Sequence, residues 1–200
     1  VALIDTGVKE NQVRELVRRG ATVRLFPITA LAREVLGWSP DGIVVTNGPG
    51  DPASVPQVTA TVRTLLDAAL QRRHAAGRPL PLLGICLGHQ LIARCIGGTT
   101  SRLRFGHHGA NHPVQDVRTG KVVITSQNHE FQVDEGSIPK DSGFLVSARN
   151  LNDGSVEGLA HRTLPIRTYQ YHPEGAPGPK DNEPVLDLFL SEVKEAAARK

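Results

Sequence analysis

Short apolar runs alternate with amphipathic stretches over the first two-thirds of the chain. Val1, Ala2, Leu3 and Ile4 form an unbroken apolar run that predicts a buried strand. Residues 11–19 carry Val13, Leu16 and Val17 at helical spacing, with Gly20 as the stop. A strand over 22–26 ends at Pro27, a short helix is expected over 30–36, and a strand over 42–46. Ser54 with Gln57 three residues on reads as a capping box for the next helix. Val58, Val62, Leu65, Leu66 and Ala69 would be that helix's inner stripe. Residues 82–85 predict a strand, followed at once by a helix from 87 or 88 to 96.

This order predicts an α/β fold: an open, mostly parallel sheet with helices on both faces. Between 99 and 168 the pattern changes to short strands, at 122–126, 144–147, 156–160 and 166–170, expected as antiparallel additions at the sheet edge. Residues 183–198 close the chain as a helix, with Val185, Leu188, Phe189 and Val193 inward. No repeat or long linker divides the pattern, so residues 1–200 read as one domain.

Composition narrows the function classes. The net charge is +3 and aromatics are 4%. The basic residues are scattered, and the longest basic stretch (Arg72, Arg73 and His74) suits a helix C-terminus. Nucleic acid is therefore not expected as a partner. No apolar run approaches the roughly 18 residues of a membrane span, so no membrane partner is expected either. Cys86 and Cys95 fit no metal signature, and cytoplasmic thiols are the simplest expectation. The absence of methionine, even at position 1, reads as a piece of a longer protein.

The sharpest signal is Gly84-Ile85-Cys86-Leu87-Gly88-His89-Gln90, on a strand-to-helix turn. A nucleophile on such a tight turn needs small residues two positions either side, and Gly84 and Gly88 supply them. The turn lifts Cys86 above the carboxyl edge of the sheet, near a helix N-terminus that favours a thiolate. There the N–H of Leu87 can point at an oxyanion. The plain alternative is a buried, inert cysteine, the reading adopted for Cys95 beside Ile92 and Ile96.

A base and its orienting group are expected in Tyr171-His172-Pro173-Glu174. Pro173 biases His172 to an extended conformation, so His172 and Glu174 point the same way. Glu174 can then hold the imidazole's tautomer, as the acid does in a triad. The alternative is a surface-loop histidine.

The elbow and His172-Pro173-Glu174, in this order, resemble the class I (triad) glutamine amidotransferases. The segment Asn47-Gly48-Pro49-Gly50-Asp51-Pro52 is similar to that family's oxyanion loop. Phe105-Gly106-His107-His108-Gly109-Ala110-Asn111-His112-Pro113-Val114, Thr125-Ser126-Gln127-Asn128-His129 and Pro173-Glu174-Gly175-Ala176-Pro177-Gly178-Pro179 resemble the carbamoyl phosphate synthetase small subunit. The resemblance implies a glutaminase domain with Cys86, His172 and Glu174 as the triad. Gly50 and Leu87 would be oxyanion donors, and Gly48, Gly50, Leu87, Gln90, Asn128, Glu130 and Phe131 glutamine contacts. The family usually has glycine where this chain has Glu130; a positive φ there would strain it.

The partners implied are L-glutamine, the small subunit's N-terminal domain, which is absent from this chain, and the carbamoyl phosphate synthetase large subunit. No cofactor is expected in this domain; ATP and magnesium would sit on the large subunit. His107, His108 and His112 lack the cysteine or carboxylate that would complete a zinc shell, so no metal is expected. By resemblance they form a loop near the active site or a subunit interface. Competing functions are the glutaminase of anthranilate or aminodeoxychorismate synthesis, a silent interaction domain of the same fold, and a cysteine peptidase or hydrolase on the same elbow.

Overall fold

A computed structural model describes residues 1–71 and 78–198. The basic stretch Arg72-Arg73-His74 lies outside the described residues. The elements run β1 (Ala2–Asp5), α1 (Glu10–Arg18), β2 (Arg24–Pro27), α2 (Ala32–Gly37), β3 (Ile43–Val45), α3 (Pro56–Leu70), β4 (Leu82–Ile85), α4 (Leu87–Cys95), β5 (Thr100–Asp116), β6 (Val122–Val133), β7 (Phe144–Asn150), β8 (Val156–His161), β9 (Ile166–Tyr169) and α5 (Pro184–Ala198). Among the described residues they build one sheet, ordered β2-β1-β3-β4-β9-β8-β6-β5-β7.

The strands β2, β1, β3, β4 and β9 are parallel. Their side chains alternate between two cores, as the pleat requires. Ala2, Ile4, Ile43, Val45 and Leu82 pack on one side with residues of α2, α3 and α4. Leu3, Val44, Leu83 and Ile85 pack on the other with Leu16 of α1 and Phe189 of α5. Helices therefore cover both faces, and the parallel strands can be apolar throughout.

The antiparallel part is larger than expected. β5 spans 17 residues and β6 spans 12, so they are not short edge strands. β7 pairs with β5 and also with β8, and β8 pairs with β6. The four strands thus close a ring of pairings, and the sheet is mixed rather than mostly parallel. The stretch around Phe105–Val114, expected as a loop, belongs to β5, which shifts register between Arg102 and His107 and again between Gly109 and His112. Bulges and polar side chains on both sides hide its alternation. β9, expected at the edge, lies between β4 and β8 and joins the two halves.

Several helix details also differ. α3 starts at Pro56, which suits the first helical position. The box at Ser54 does not form, because Ser54 ends a 3₁₀ turn capped by Asp51, whose Oδ1 accepts from the Ala53 N–H at 2.8 Å. Val17 and Leu188 face solvent; Gln12, Leu186 and Leu190 take the buried positions instead.

One close approach fixes the elbow. A β-carbon on Gly88 would lie 2.1 Å from the carbonyl oxygen of Val45. Gly88→Ala must push α4 off β3, and we expect a loss of roughly 1–3 kcal/mol in urea unfolding, the usual overpacking range. Gly136→Ala, with nothing within 4 Å of its new methyl, should leave stability nearly unchanged.

Candidate active site

β4 ends at Ile85 and α4 begins at Leu87, so the chain must reverse within Cys86. It does so with φ 53° and ψ −104°, a left-handed backbone for a residue with a side chain. Such a conformation costs on the order of 1–3 kcal/mol and persists only where surroundings enforce it. Here the Cys86 N–H donates to the Tyr169 carbonyl at 2.8 Å and the Gly88 N–H to the Thr46 carbonyl at 3.1 Å. Leu87 opens α4, so its N–H has no acceptor within the helix.

His172 and Glu174 follow β9, the strand beside β4. Both are 3% exposed. His172 Nδ1 donates to Glu174 Oε1 at 2.8 Å, and the ring also hydrogen-bonds Cys86. Since Glu174 occupies Nδ1, Nε2 is the ring nitrogen left for the sulfur. Burial disfavours the charged ring, but the bonds to Cys86 and Glu174 outweigh it and hold the His172 pKa up at about 9. Burial likewise pushes the Glu174 carboxyl upward, and the His172 bond and charge, helped by Lys9, bring it below its ordinary value. Lys9 Nζ is 3.7 Å from Glu174 Oε1, and Asn11 Nδ2 donates to the Glu174 carbonyl at 2.6 Å.

Cys86 opens into a cavity of about 120 Å³ lined by Gly48, Pro49, Gly50, Gln90, His108, Asn128, His129, Glu130 and Phe131. The predicted residues Gly48, Gly50, Gln90, Asn128, Glu130 and Phe131 thus share one wall-to-wall site with Cys86. Leu87, His172 and Glu174 are not among the residues that line the cavity. Gly50 takes φ +93° with open space where a side chain would project, consistent with a loop turned toward the cavity. Gln90 Nε2 donates to the Phe131 carbonyl at 2.9 Å and to Gln170 Oε1 at 3.0 Å, which ties α4 to β6.

Glu130 is unstrained, since among the described residues the positive-φ residues other than glycine are Ser39 and Cys86. Its side chain points outward, where Oε1 meets His108 Nε2 at 2.9 Å and Oε2 meets Arg102 Nη2 at 3.3 Å. The backbone can therefore face the cavity while the carboxylate stays in solvent.

Sequence reasoning missed the supports. Asn47 Oδ1 accepts from the Lys9 N–H at 3.2 Å and from Gln12 Nε2 at 2.8 Å, and its Nδ2 donates to the Gly7 carbonyl at 2.8 Å. That binds the Gly48–Gly50 loop to the start of α1. A polar Gln12 on an otherwise inward position was the available signal. Lys9 and Asn11 carried none, because their partner is 163 or more residues away. His89, inside the elbow motif, is wholly buried; burial pushes its pKa down to about 3, and Nδ1 meets Thr168 Oγ1 at 2.7 Å. It is a neutral strut between α4 and β9. Burial pushes the Cys95 thiol up to about 11, so it is inert as expected.

The histidine-rich segment divides. His108 lines the cavity, while His107 turns into the ring of antiparallel strands. Among the described residues, one group of side chains could hold a metal: His107, His129 and Glu157, whose ligand atoms all lie within 4.8 Å of one another.

The family model for class-I glutamine amidotransferases matches residues 2–191. The carbamoyl phosphate synthase small chain of Bacillus caldolyticus is 47% identical over 195 residues, which is 98% of this chain and 50% of that protein. That of Symbiobacterium thermophilum is 48% identical over 197 residues, covering 98% and 51%. That of Archaeoglobus fulgidus is 45% identical over 195 residues, also covering 98% and 51%. The chain spans about half the length of these relatives. In three dimensions it superposes on a Thermoplasma acidophilum protein provisionally described as a GMP synthase component, with a TM-score of 0.79 over 98% of this chain and 94% of that one. At 20% identity that likeness shows the fold alone. The chain belongs to the class-I glutamine amidotransferase family.

Proposed function

We propose that this chain is the glutaminase domain of a carbamoyl phosphate synthetase small subunit. It would hydrolyse L-glutamine to glutamate and ammonia and pass the ammonia to the large subunit. The observation that carries the reading is His172 bonded to Glu174 and to Cys86, the residue that opens into a cavity lined by Gly48, Gly50 and Gln90. The high identity to carbamoyl phosphate synthase small chains supports this pathway over other amidotransferases.

In the proposed reaction the Cys86 thiolate attacks the side-chain amide carbon of glutamine. The carbonyl electrons move to oxygen, where the N–H groups of Leu87 and Gly50 hold the charge. As the tetrahedral centre collapses, the C–N bond breaks and His172 gives its proton to the departing nitrogen, releasing ammonia. A γ-glutamyl thioester remains on Cys86. His172, now neutral, takes a proton from water; the hydroxide displaces the sulfur and glutamate leaves. Gly48, Gln90, Asn128, Glu130 and Phe131 would hold the amino-acid end, Glu130 through its backbone.

None of these steps calls on a cofactor. ATP and magnesium would act on the large subunit. The proposal also includes a cytoplasmic setting and contact with the small subunit's N-terminal domain. No described helix is long and apolar enough to cross a membrane. Phe105, 77% exposed two residues from His107, supports a partner surface near the cavity.

Three outcomes follow. Cys86→Ser should lower glutamate release at least about 10³-fold; undiminished turnover would refute the assignment. Adding the large subunit to the domain should raise its rate or glutamine affinity, and no change would remove the coupling. The third concerns pH. The folded pKa of His172 is raised to about 9 from an ordinary 6.5, so its proton, and the stability it contributes, is fully present below 6.5 and lost as pH rises through 9. Acylation, which uses that proton, should fall over the same alkaline window. Glu174→Gln should move that limb toward lower pH and cut kcat/KM about 10²-fold or more, read from the pH profile.

A further inference from the structure

The four antiparallel strands enclose a polar interior. His107 comes from β5, Gln127 and His129 from β6, Asn150 from β7 and Glu157 from β8. Glu157 is 0% exposed, an expensive place for a carboxylate without a cation. Its Oε1 accepts from Gln127 Nε2 and Asn150 Nδ2, each at 2.9 Å. Its Oε2 is buried with no partner.

The two imidazoles are oriented from behind. His107 Nε2 donates to Asp153 Oδ2 at 2.8 Å, and His129 Nδ1 donates to the Phe131 carbonyl at 2.8 Å. Neither acceptor has a proton to give, so those two nitrogens carry the ring hydrogens. The other two nitrogens point inward at the same atom. His107 Nδ1 lies 3.1 Å and His129 Nε2 2.7 Å from Gln127 Oε1, and His107 Nδ1 is 3.4 Å from Glu157 Oε1. With neutral rings, nitrogen lone pairs meet oxygen lone pairs. Turning the Gln127 amide would give both ring nitrogens a donor, but its oxygen would then face Glu157 and Thr125 Oγ1, whose proton goes to the His112 carbonyl at 2.8 Å, so Glu157 would have to hold a proton. A proton or a metal cation must therefore stand among these groups: either protons on the rings or on Glu157 fill the gap, with Asn150 Nδ2 3.5 Å from His107 Nδ1 as a further weak donor, or one cation takes their place.

We propose that His107 Nδ1, His129 Nε2 and Glu157, with the Gln127 amide oxygen beside them, form a site for a divalent transition ion of the zinc class. Two imidazoles and a carboxylate are a suitable donor set, and a carboxylate or carbonyl behind each imidazole is the usual outer support. Tetrahedral zinc bonds of about 2.0–2.1 Å place ligands roughly 3.4 Å apart. The inward atoms, within 4.8 Å of one another, therefore need to close by at most about 1.4 Å. The ion enters as whatever protons His107 Nδ1, His129 Nε2 and Glu157 hold among them leave to solvent; nothing is oxidised or reduced. Being enclosed, it would be a structural ion clasping β5, β6 and β8. It would also steady the Phe131 carbonyl at the cavity wall. The proposal stands whether or not Cys86 hydrolyses glutamine.

The test uses the full chain as Cys86→Ser, so that the thiolate cannot compete. After chelator treatment it is titrated with Co²⁺, read by visible ligand-field absorption, and with Zn²⁺, read by melting temperature. The expected result is saturable, stoichiometric binding with cobalt bands of a four- or five-coordinate site and a melting temperature that rises with zinc. Glu157→Gln and His107→Asn should each weaken cobalt binding at least about 100-fold, whereas the remote His161→Asn should not. An unchanged spectrum and melting temperature in excess metal would overturn the proposal, and would mean that protons alone carry the charge. Binding that survives both substitutions would overturn it too. If a variant fails to fold, the titration of the Cys86→Ser chain still decides.

Discussion

At Gly88 the first turn of α4 lies so close to β3 that a methyl group there would overlap the Val45 carbonyl at 2.1 Å. This contact, with the Gly88 N–H bonded to Thr46, anchors the helix start directly on the sheet. Cys86 is then left one residue in which to turn from strand to helix, and it must adopt positive φ. Strain in the backbone is thus the means of aiming the sulfur out of the sheet. Everything else in the site is placed relative to that point. Gly48 packs under Leu87 with the same intolerance, since its β-carbon would lie 2.0 Å from the Thr6 carbonyl. β9, bonded to Cys86 through Tyr169, leads directly into His172 and Glu174.

The electrostatics answer a related constraint. Cys86, His172 and Glu174 are all nearly inaccessible, and burial alone would discharge the imidazolium. Hydrogen bonds on both sides of the ring reverse that, and Lys9 supports the carboxylate from behind. The pair is therefore charged because it is connected, and each member depends on the other's position.

How much of this was legible in the sequence follows from the range of the interactions. The elbow is local: two glycines, a cysteine and a strand-to-helix pattern lie within seven residues, and they specify a geometry that the fold reproduces. His172 and Glu174 are two residues apart, so their pairing was readable, but they meet across a turn closed by the Gly175 N–H on the His172 carbonyl at 3.3 Å rather than along the extended segment expected. The parallel strands announced themselves as apolar runs because both of their faces are covered. β5 did not, because it is bulged, rich in glycine and histidine, and turned toward a polar interior rather than an apolar core. A strand whose inner face is His107 and whose partners present Gln127, His129 and Glu157 has no hydrophobic period to detect. Glu130 looked like a departure that could strain the cavity, and ordinary backbone geometry with an outward carboxylate resolves it. The Asn47 bonds to Gln12 and Lys9, and Asn11 on the Glu174 carbonyl, join segments far apart in the chain, and no local pattern encodes them.

We propose that Cys86 is the nucleophile that attacks glutamine bound in the neighbouring cavity. A glutamine-analogue electrophile, followed by mass spectrometry of the modified peptides, tests it directly. Stoichiometric labelling of Cys86 and not of Cys95 is expected, slowed by free glutamine and by His172→Asn. Labelling of both thiols alike, no labelling of Cys86, or labelling indifferent to glutamine would contradict it.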